Sequence, residues 1–456
     1  MTYKQAVEYV DSFINFEKIP RYEYAAAFRL ERMSAFLREL GDPHETLKAF
    51  HVAGSKGKGS TCAIAAYILK EAGYRVGLYT SPHLVDFRER IRILGKVSGD
   101  RRKTSGSGSW FEGMISESEF VGLIERIRPA AEKFRDHVKF GRASFFEILT
   151  AAAFLHFKDK KVDFAVLETG LGGRLDATNT ANPVACGITS ISLEHTDKLG
   201  DTLAKIAFEK AGIIKTRGVI VSASQKREAG DVIRKACEER GAGLHEAGKD
   251  IKYRIVDSNE RRQVFDTEGP GYSYKNLELN LIGYHQIENA SMAIGMLKLA
   301  ESGGFKLGED AVRRGLKKAI WPGRLQIIRR RPRVILDGAQ NPASISVLIS
   351  SVNKLFKYNR FISVFGISSD KDIKGVSRLL DRASDKVILT RAKDNPRAQS
   401  PLVLKKYFSK ADPFSGNVEE ALKKALESSG KEDLILVTGS LFVVGDAIGY
   451  FKNSVS

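Results

Sequence analysis

"HVAGSKGKGSTCAIAAYILKEAGYRVGLYTSPHL", from His51 to Leu84, runs from a short apolar strand through a glycine loop into a helix that is apolar on nearly every side. A loop of this kind points free N–H groups inward and sets the positive end of a helix dipole at one spot, which suits a phosphate. Its spelling is not the usual G-x-x-x-x-G-K-[ST]. Counted back from Lys58, that pattern needs Gly at 52 and Ser or Thr at 59, where the chain has Val52 and Gly59. Read as a phosphate loop, it uses Gly54, Gly57 and Gly59 for close approach, Lys58 to bridge the terminal phosphates, and the hydroxyls of Ser60 and Thr61 for magnesium. A tight turn with an exposed lysine is the plain alternative, and context must decide.

Outward from the loop, strands read at 76–80, 163–168, 184–191 and 218–222, separated by helical stretches such as 144–158 and 202–211. The alternation predicts an α/β fold with a mostly parallel sheet and helices on both faces. A second series begins near Arg333, with strands at 333–337, 361–366, 386–390 and 433–438, and predicts a separate, smaller α/β domain. Helices are expected at 289–302 and 309–320, and Pro322 and Gly323 break the chain after them, so the boundary falls at 320–330: domains 1–320 and 321–456. The Gly/Ser-rich basic insert 95–114 reads as a mobile surface loop in preference to a substrate lid.

The 456 residues are 43% hydrophobic, enough for two ordinary cores. A net charge of +18 raises nucleic acid, an acidic membrane or a polyanionic small substrate as partners. The basic patches at 99–110 and 327–333 are short and lack interleaved aromatics, which argues against nucleic acid. Cys62, Cys186 and Cys237 lie far apart with no C-x-x-C pair, so neither a zinc cage nor a disulfide framework is expected. The N-terminus lacks the apolar core of a signal peptide, and no uncharged stretch reaches the roughly 18 residues that span a bilayer. A soluble, cytoplasmic protein is the expectation.

In "DFAVLETGLGGRLDATN" a strand ends in Glu168 before a second glycine turn, where a magnesium-binding acid is expected; a salt bridge between Glu168 and Arg174 is the alternative. His195 follows another apolar strand and Lys210 lies near the end of the next helix, and by themselves both are weak candidates.

The combination resembles the folylpolyglutamate synthase and dihydrofolate synthase branch of the Mur ligase superfamily. The likeness rests on "GSKGKGST", "TSPHLVDFRERIRI", "LETGLGGRLDATN", "EHTDKLGDTLAKIAFEKAGIIK", "GYHQIENA", "WPGRLQ", "LDGAQNP", "FGISSDKD", "NPRA" and "TGSLFVVGDA", in the family's order. That branch spells its loop G-x-x-G-K-G-S, which accounts for Val52 and Gly59. The resemblance implies a phosphate-loop domain of the Mur-ligase central type and a Rossmann-like C-terminal domain. It implies an ATP-dependent amide ligase that adds L-glutamate to folate or dihydropteroate through an acyl phosphate, with ATP and Mg2+ required.

By the same resemblance, Lys58 and the N–H groups of Gly54, Ser55, Lys56, Gly57, Gly59, Ser60 and Thr61 hold the phosphates. Ser81, Glu168 and His195 match metal-binding positions, and Lys210 matches a lysine that the family carboxylates into a further metal ligand. Lys58, Glu168, His195 and Lys210 are thus the implied catalytic set. Asn289, Arg324 and Asp337 correspond to nucleotide contacts, and Gln340 and Ser440 to substrate contacts. Two departures stand out. Gln340 replaces the family's histidine in D-G-A-H-N, which leaves an orienting role but no charge. Lys56 adds a cation where the family more often has Asn.

Glu147 is open to a pterin contact or a capping role, and Arg88 and Arg90 to an acidic substrate tail or to water. Only about 50 residues precede the loop, which argues against a peptidoglycan-precursor ligase with its added UDP-binding domain. A nucleic-acid-stimulated ATPase is the rival from another class. A monomer with small-molecule substrates, no nucleic acid and no membrane is expected.

Overall fold

The computed structural model describes residues 1–19, 22–95, 111–412 and 416–453. Most of the 95–114 insert lies outside them. The quoted stretch forms the centre of a seven-stranded sheet made of β1 (Ala49–Ala53), β2 (Val76–Tyr79), β3 (Ile91–Leu94), β4 (Phe164–Glu168), β5 (Pro183–Ile188), β6 (Val219–Ser222) and β7 (Gly243–Glu246). The order is β3-β2-β4-β1-β5-β6-β7, parallel throughout except for β3 against β2. β1 is buried along its whole length, as a strand covered by helices on both faces must be. Its neighbours β4 and β5 lie on opposite sides, so the chain departs both ways from β1 and leaves a crevice at the carboxyl ends of the three strands. Register puts Val52 beside Glu168 and Ala53 beside Ile188, which brings Gly54, Glu168 and Thr189 to one edge.

The phosphate-loop helix Lys58–Glu71 buries residues 59–69 without a break. It packs on the sheet and under the helices Tyr284–Leu299 and Glu309–Lys318. Gly315 makes the second contact possible, because a Cβ there would lie 2.5 Å from the Ile68 backbone. The opposite face of the sheet is covered by the helices Glu117–Lys133 and Phe145–Asp159 and by the N-terminal helices.

The strands that were not predicted include β7 and an antiparallel sheet of β8 (Lys252–Ser258), β9 (Gln263–Gly269) and β10 (Tyr272–Leu279), in the order β10-β9-β8. β8 is almost wholly exposed, Ile255 and Val256 included, so it has no buried face and shows no sustained apolar alternation. Phe265, Tyr272, Tyr274, Leu277 and Leu279 join this small sheet to the core around the phosphate-loop helix. The helix expected at 289–302 begins earlier, at Tyr284.

The C-terminal sheet contains β11 (Gln326–Arg330), β12 (Arg333–Leu336), β13 (Phe361–Phe365), β14 (Lys386–Leu389), β15 (Ala411–Asp412) and β16 (Leu434–Thr438), in the order β11-β12-β16-β13-β14-β15. Only β11 is antiparallel to its neighbour. The basic stretch 327–333 is the β11–β12 hairpin at the sheet edge. Two apolar cores sandwich this sheet. Among the described residues no helix is long and apolar enough to cross a membrane, and all three cysteines are buried and free.

Candidate active site

Each loop glycine faces a side chain from a distant part of the chain. A Cβ on Gly54 would lie 1.8 Å from Thr189 Oγ1, one on Gly57 would lie 2.4 Å from Asn289 Oδ1, and one on Gly59 would lie 2.5 Å from the Trp321 ring. Gly57 also has φ 93, the left-handed conformation in which the loop turns into its helix. The loop is therefore locked to β5, to the helix Tyr284–Leu299 and to the linker before the C-terminal sheet.

The N–H groups of Ser55 and Lys56 both donate to the Ser190 carbonyl, at 3.0 and 3.1 Å. Ser55 Oγ donates to the Ser192 carbonyl and accepts its N–H, each at 3.1 Å. Of the donors expected across residues 54–61, these two are occupied, and Thr61 N–H donates to the Gly57 carbonyl as a helix bond. The donors with no acceptor among the described residues are those of Gly54, Gly57, Lys58, Gly59 and Ser60, the last three being first-turn groups with no acceptor inside the helix. Ser60 lines the cleft, whereas Thr61 is fully buried and its hydroxyl lacks a partner among the described residues.

Glu168 ends β4 and is 5% exposed. Lys58 Nζ lies 4.0 Å from Oε1, and Ser81 N–H donates to Oε2 at 3.1 Å. Burial pushes this carboxyl above its ordinary value, and Lys58 pulls it back. Arg174 pairs instead with Glu209 at 2.8 Å, which removes the alternative partner for Glu168.

His195 sits in the left-handed conformation at the start of the short helix Thr196–Leu199. Burial drives its imidazole down to about 3 against the pull of Glu194, so it is neutral and keeps a free lone pair. Glu194 itself holds Lys56 at 2.6 Å, so the family-departing lysine is anchored to the 190s loop. Lys210 is buried behind the loop rather than in the cleft, and its amine donates to the Gly54 carbonyl at 2.9 Å. Burial first, and Lys58 next, push that amine down to about 7.

The opposite wall comes from the C-terminal sheet and its linker. Arg324, Asp337, Gln340 and Ser440 all reach the cleft, which holds about 530 Å³. Asp337 lies just past β12 and is tied on both oxygens, accepting the N–H groups of Leu325 and Ala339 at 2.9 Å each. It holds the Arg324–Leu325 turn in place. Ser440 is 2% exposed and its Oγ accepts Phe442 N–H at 3.2 Å.

The alternatives left open for three other residues now resolve. Glu147 caps its own helix through Ser144 and pairs with Arg32 at 2.8 Å, both side chains being 5% exposed. It does not line the cleft. Arg88 pairs with Asp86. Arg90 is buried, grips Glu17 with both Nη atoms at 2.8 and 2.7 Å, and donates to His83 Nδ1.

An aromatic wall went unread. Phe16, Tyr22 and Phe28 cluster with ring centroids 4.6 to 5.9 Å apart and line the cleft with Phe145 and Phe146. The only signal available was the density of aromatics between 13 and 28. Among the described residues, the one group of three acidic or histidine side chains close enough to share an ion is Asp42, His44 and Glu45, which is not part of the cleft.

Comparison with known proteins gives concordant matches. The Mur ligase middle domain matches residues 127–297, and the Mur ligase glutamate ligase domain matches residues 323–441. The dihydrofolate synthase/folylpolyglutamate synthase of Bacillus subtilis is 34% identical over 435 residues, covering 93% of this chain and 95% of that protein. The crystal structure of a folylpolyglutamate synthase from Thermotoga maritima superposes with a TM-score of 0.82 at 34% identity, over 99% of this chain and 97% of that one. Escherichia coli FolC in complex with DHPP and ADP gives 0.84 at 30% identity, over 100% and 99%.

Proposed function

The chain belongs to the folylpolyglutamate synthase and dihydrofolate synthase family of Mur ligases, and from that membership we propose that it joins L-glutamate to a folate carboxylate with cleavage of ATP to ADP and phosphate. The observation that carries this reading is the two-walled cleft, with Lys58 and Glu168 on one side and Arg324, Gln340 and Ser440 on the other. A carboxylate does not condense with an amine at neutral pH, because its oxygen is a poor leaving group. In the reaction proposed, the folate carboxylate oxygen attacks the γ-phosphorus, the bond to ADP breaks, and an acyl phosphate forms. The glutamate amine then adds to the acyl carbon, loses its proton, and the C–O bond breaks to release phosphate.

Lys58 and the N–H groups of Gly57 to Ser60 hold the phosphates in this reading and stabilise charge as it moves to ADP. Glu168 with the hydroxyls of Ser60 and Ser81 suits a hard cation such as Mg2+, since it is a buried carboxylate whose nearest cation stands 4.0 Å away. Bound there, magnesium would screen the phosphate oxygens. His195 adds a neutral nitrogen donor, and Lys210 joins the set once carboxylated and turned from the Gly54 carbonyl. The aromatic wall suits a flat heteroaromatic acceptor.

We assign residues 1–320 and 321–456 to the two domains, because the last helix of the first ends at Lys318 and β11 begins at Gln326. Both walls come from one chain, which supports a monomer. Turnover of ATP with glutamate, comparing dihydropteroate and tetrahydrofolate as acceptors and weighing the product, tests the reading. Growth by one glutamyl unit on either acceptor supports it. ATP cleavage with no growth on either would overturn it.

A further inference from the structure

The aromatic wall has little regular structure of its own. Phe16 and Tyr22 fall between the helices Tyr3–Asp11 and Tyr24–Ala27, so no helix fixes where their rings stand. Long-range ties hold the segment instead. Phe145 N–H donates to the Ile14 carbonyl at 3.0 Å, and at the far end Arg32 Nη2 donates to the Ala27 carbonyl at 2.7 Å. Between these two points Glu17 reaches Arg90, 73 residues along the chain.

Arg90 is 1% exposed and uses all three of its nitrogens. Nη1 and Nη2 each take one Glu17 oxygen, and Nε donates to His83 Nδ1. Its guanidinium carbon stands 5.3 Å from the Phe145 ring centroid, and Phe145 belongs to the same wall. Glu17 lines the cleft with its side chain 37% exposed, whereas Arg90 lies behind it and does not line the cleft. Against burial, which raises it, Arg90 keeps the Glu17 carboxyl below its ordinary value, so the pair is ionised at neutral pH. A bidentate pair fixes distance and angle together. An apolar side chain would fill the same space at less cost in desolvation, but it would let an irregular segment slide.

We propose that Arg90 is a positioning residue for the acceptor: acting through Glu17, it sets the wall on which the flat acceptor binds, without touching acceptor or nucleotide. The inference rests on the acceptor reading of that wall given above.

Steady-state kinetics test this, using whichever of dihydropteroate and tetrahydrofolate the wild type glutamylates. Arg90→Lys keeps the charge but loses the planar fork, and should raise the acceptor KM about tenfold while kcat and the KM for ATP stay within about threefold. Glu17→Gln should do the same, and the double variant should also stand near about tenfold, because both changes break one tie. Glu17→Asp, which keeps the charge on a shorter arm, should fall between the wild type and Glu17→Gln. A purely structural role would lower the active fraction, so that kcat falls with both KM values unchanged, and that result overturns the proposal. A double variant raised about a hundredfold overturns it too, since the two residues would then act separately. Should Arg90→Lys fail to fold, the Glu17 pair decides: a graded rise in acceptor KM supports the proposal, and an unchanged KM in Glu17→Gln overturns it. A wild type that glutamylates neither acceptor removes the function proposed above and this inference with it.

Discussion

The carboxyl edges of the two large sheets each carry an acid where a strand ends, and the two acids do different work. Glu168, at the end of β4, accepts one backbone N–H and has Lys58 4.0 Å away. Its remaining lone pairs face the cleft. Asp337, just past β12, spends both oxygens on the N–H groups of Leu325 and Ala339. Both are buried and both line the same space, yet Asp337 carries a backbone N–H on each oxygen, whereas Glu168 Oε1 accepts no hydrogen bond among the described residues. An acid at a strand end marks the edge where chemistry happens, and its hydrogen bonds decide whether it meets the ligand or holds the wall that does.

Substitutions can break this contrast, starting with the wall proposed to hold phosphate. Lys58→Ala should lower ATP turnover by about a thousandfold or more with unchanged circular dichroism, because it removes a cation aimed at developing charge. Activity within a few-fold of wild type would put the phosphates elsewhere. Glu168→Gln comes next, with a loss of roughly a hundredfold in kcat and a gain in stability. Burial holds the folded pKa of Glu168 above that of the unfolded chain. Stability owed to its protonated form is therefore present at low pH and lost as pH rises through the folded value. Glutamine cannot ionise, so the variant's Tm should exceed the wild type's by about 2 °C at neutral pH, the order that about 1 kcal/mol gives a domain of roughly 200 residues. The gap should close toward pH 4, and a variant less stable at neutral pH would contradict the burial argument.

Asp337→Asn should show the converse, losing stability by about 1.5 kcal/mol because one backbone N–H loses its charged acceptor. Its kcat should fall only about tenfold, as the Arg324 turn loosens. A loss as deep as that of Glu168→Gln, with Tm unchanged, would make Asp337 a direct ligand and erase the contrast. Gln340→His should have the smallest effect, with kcat within about threefold of wild type. Gln340 lines the cleft, and among the described residues only its backbone N–H is bonded, to Ser344 Oγ, so a histidine can take its place without breaking a side-chain bond.

How much of this was legible varied with the kind of signal. The strand–loop–helix at 49–71, the parallel strands on either side and the C-terminal series could be read because buried parallel strands are continuous apolar runs. β8 could not, since an exposed edge strand has no buried face to alternate, whereas β10 does alternate buried and exposed positions across Tyr272, Ser273 and Tyr274 and its signal was present in the sequence. Lys58, Glu168, His195, Asn289, Arg324, Gln340 and Ser440 were read from motifs, and they meet in one cleft. What the motifs do not encode is hydrogen-bond use. The engagement of Ser55 and Lys56 N–H by Ser190, the placement of Lys210 behind Gly54, and the tether of Asp337 to Leu325 all depend on chain separated by more than ten residues. The aromatic wall of Phe16, Tyr22 and Phe28 was missed for the same reason, because nothing local says which ring faces a ligand.

The central claim is that one cleft couples ATP cleavage to amide formation through an acyl phosphate. Folate labelled with 18O in its reacting carboxylate tests it most directly, by mass analysis of the phosphate released during ligation. The account predicts one labelled oxygen per phosphate, carried over when the C–O bond breaks. Unlabelled phosphate accompanying glutamylated product would contradict it.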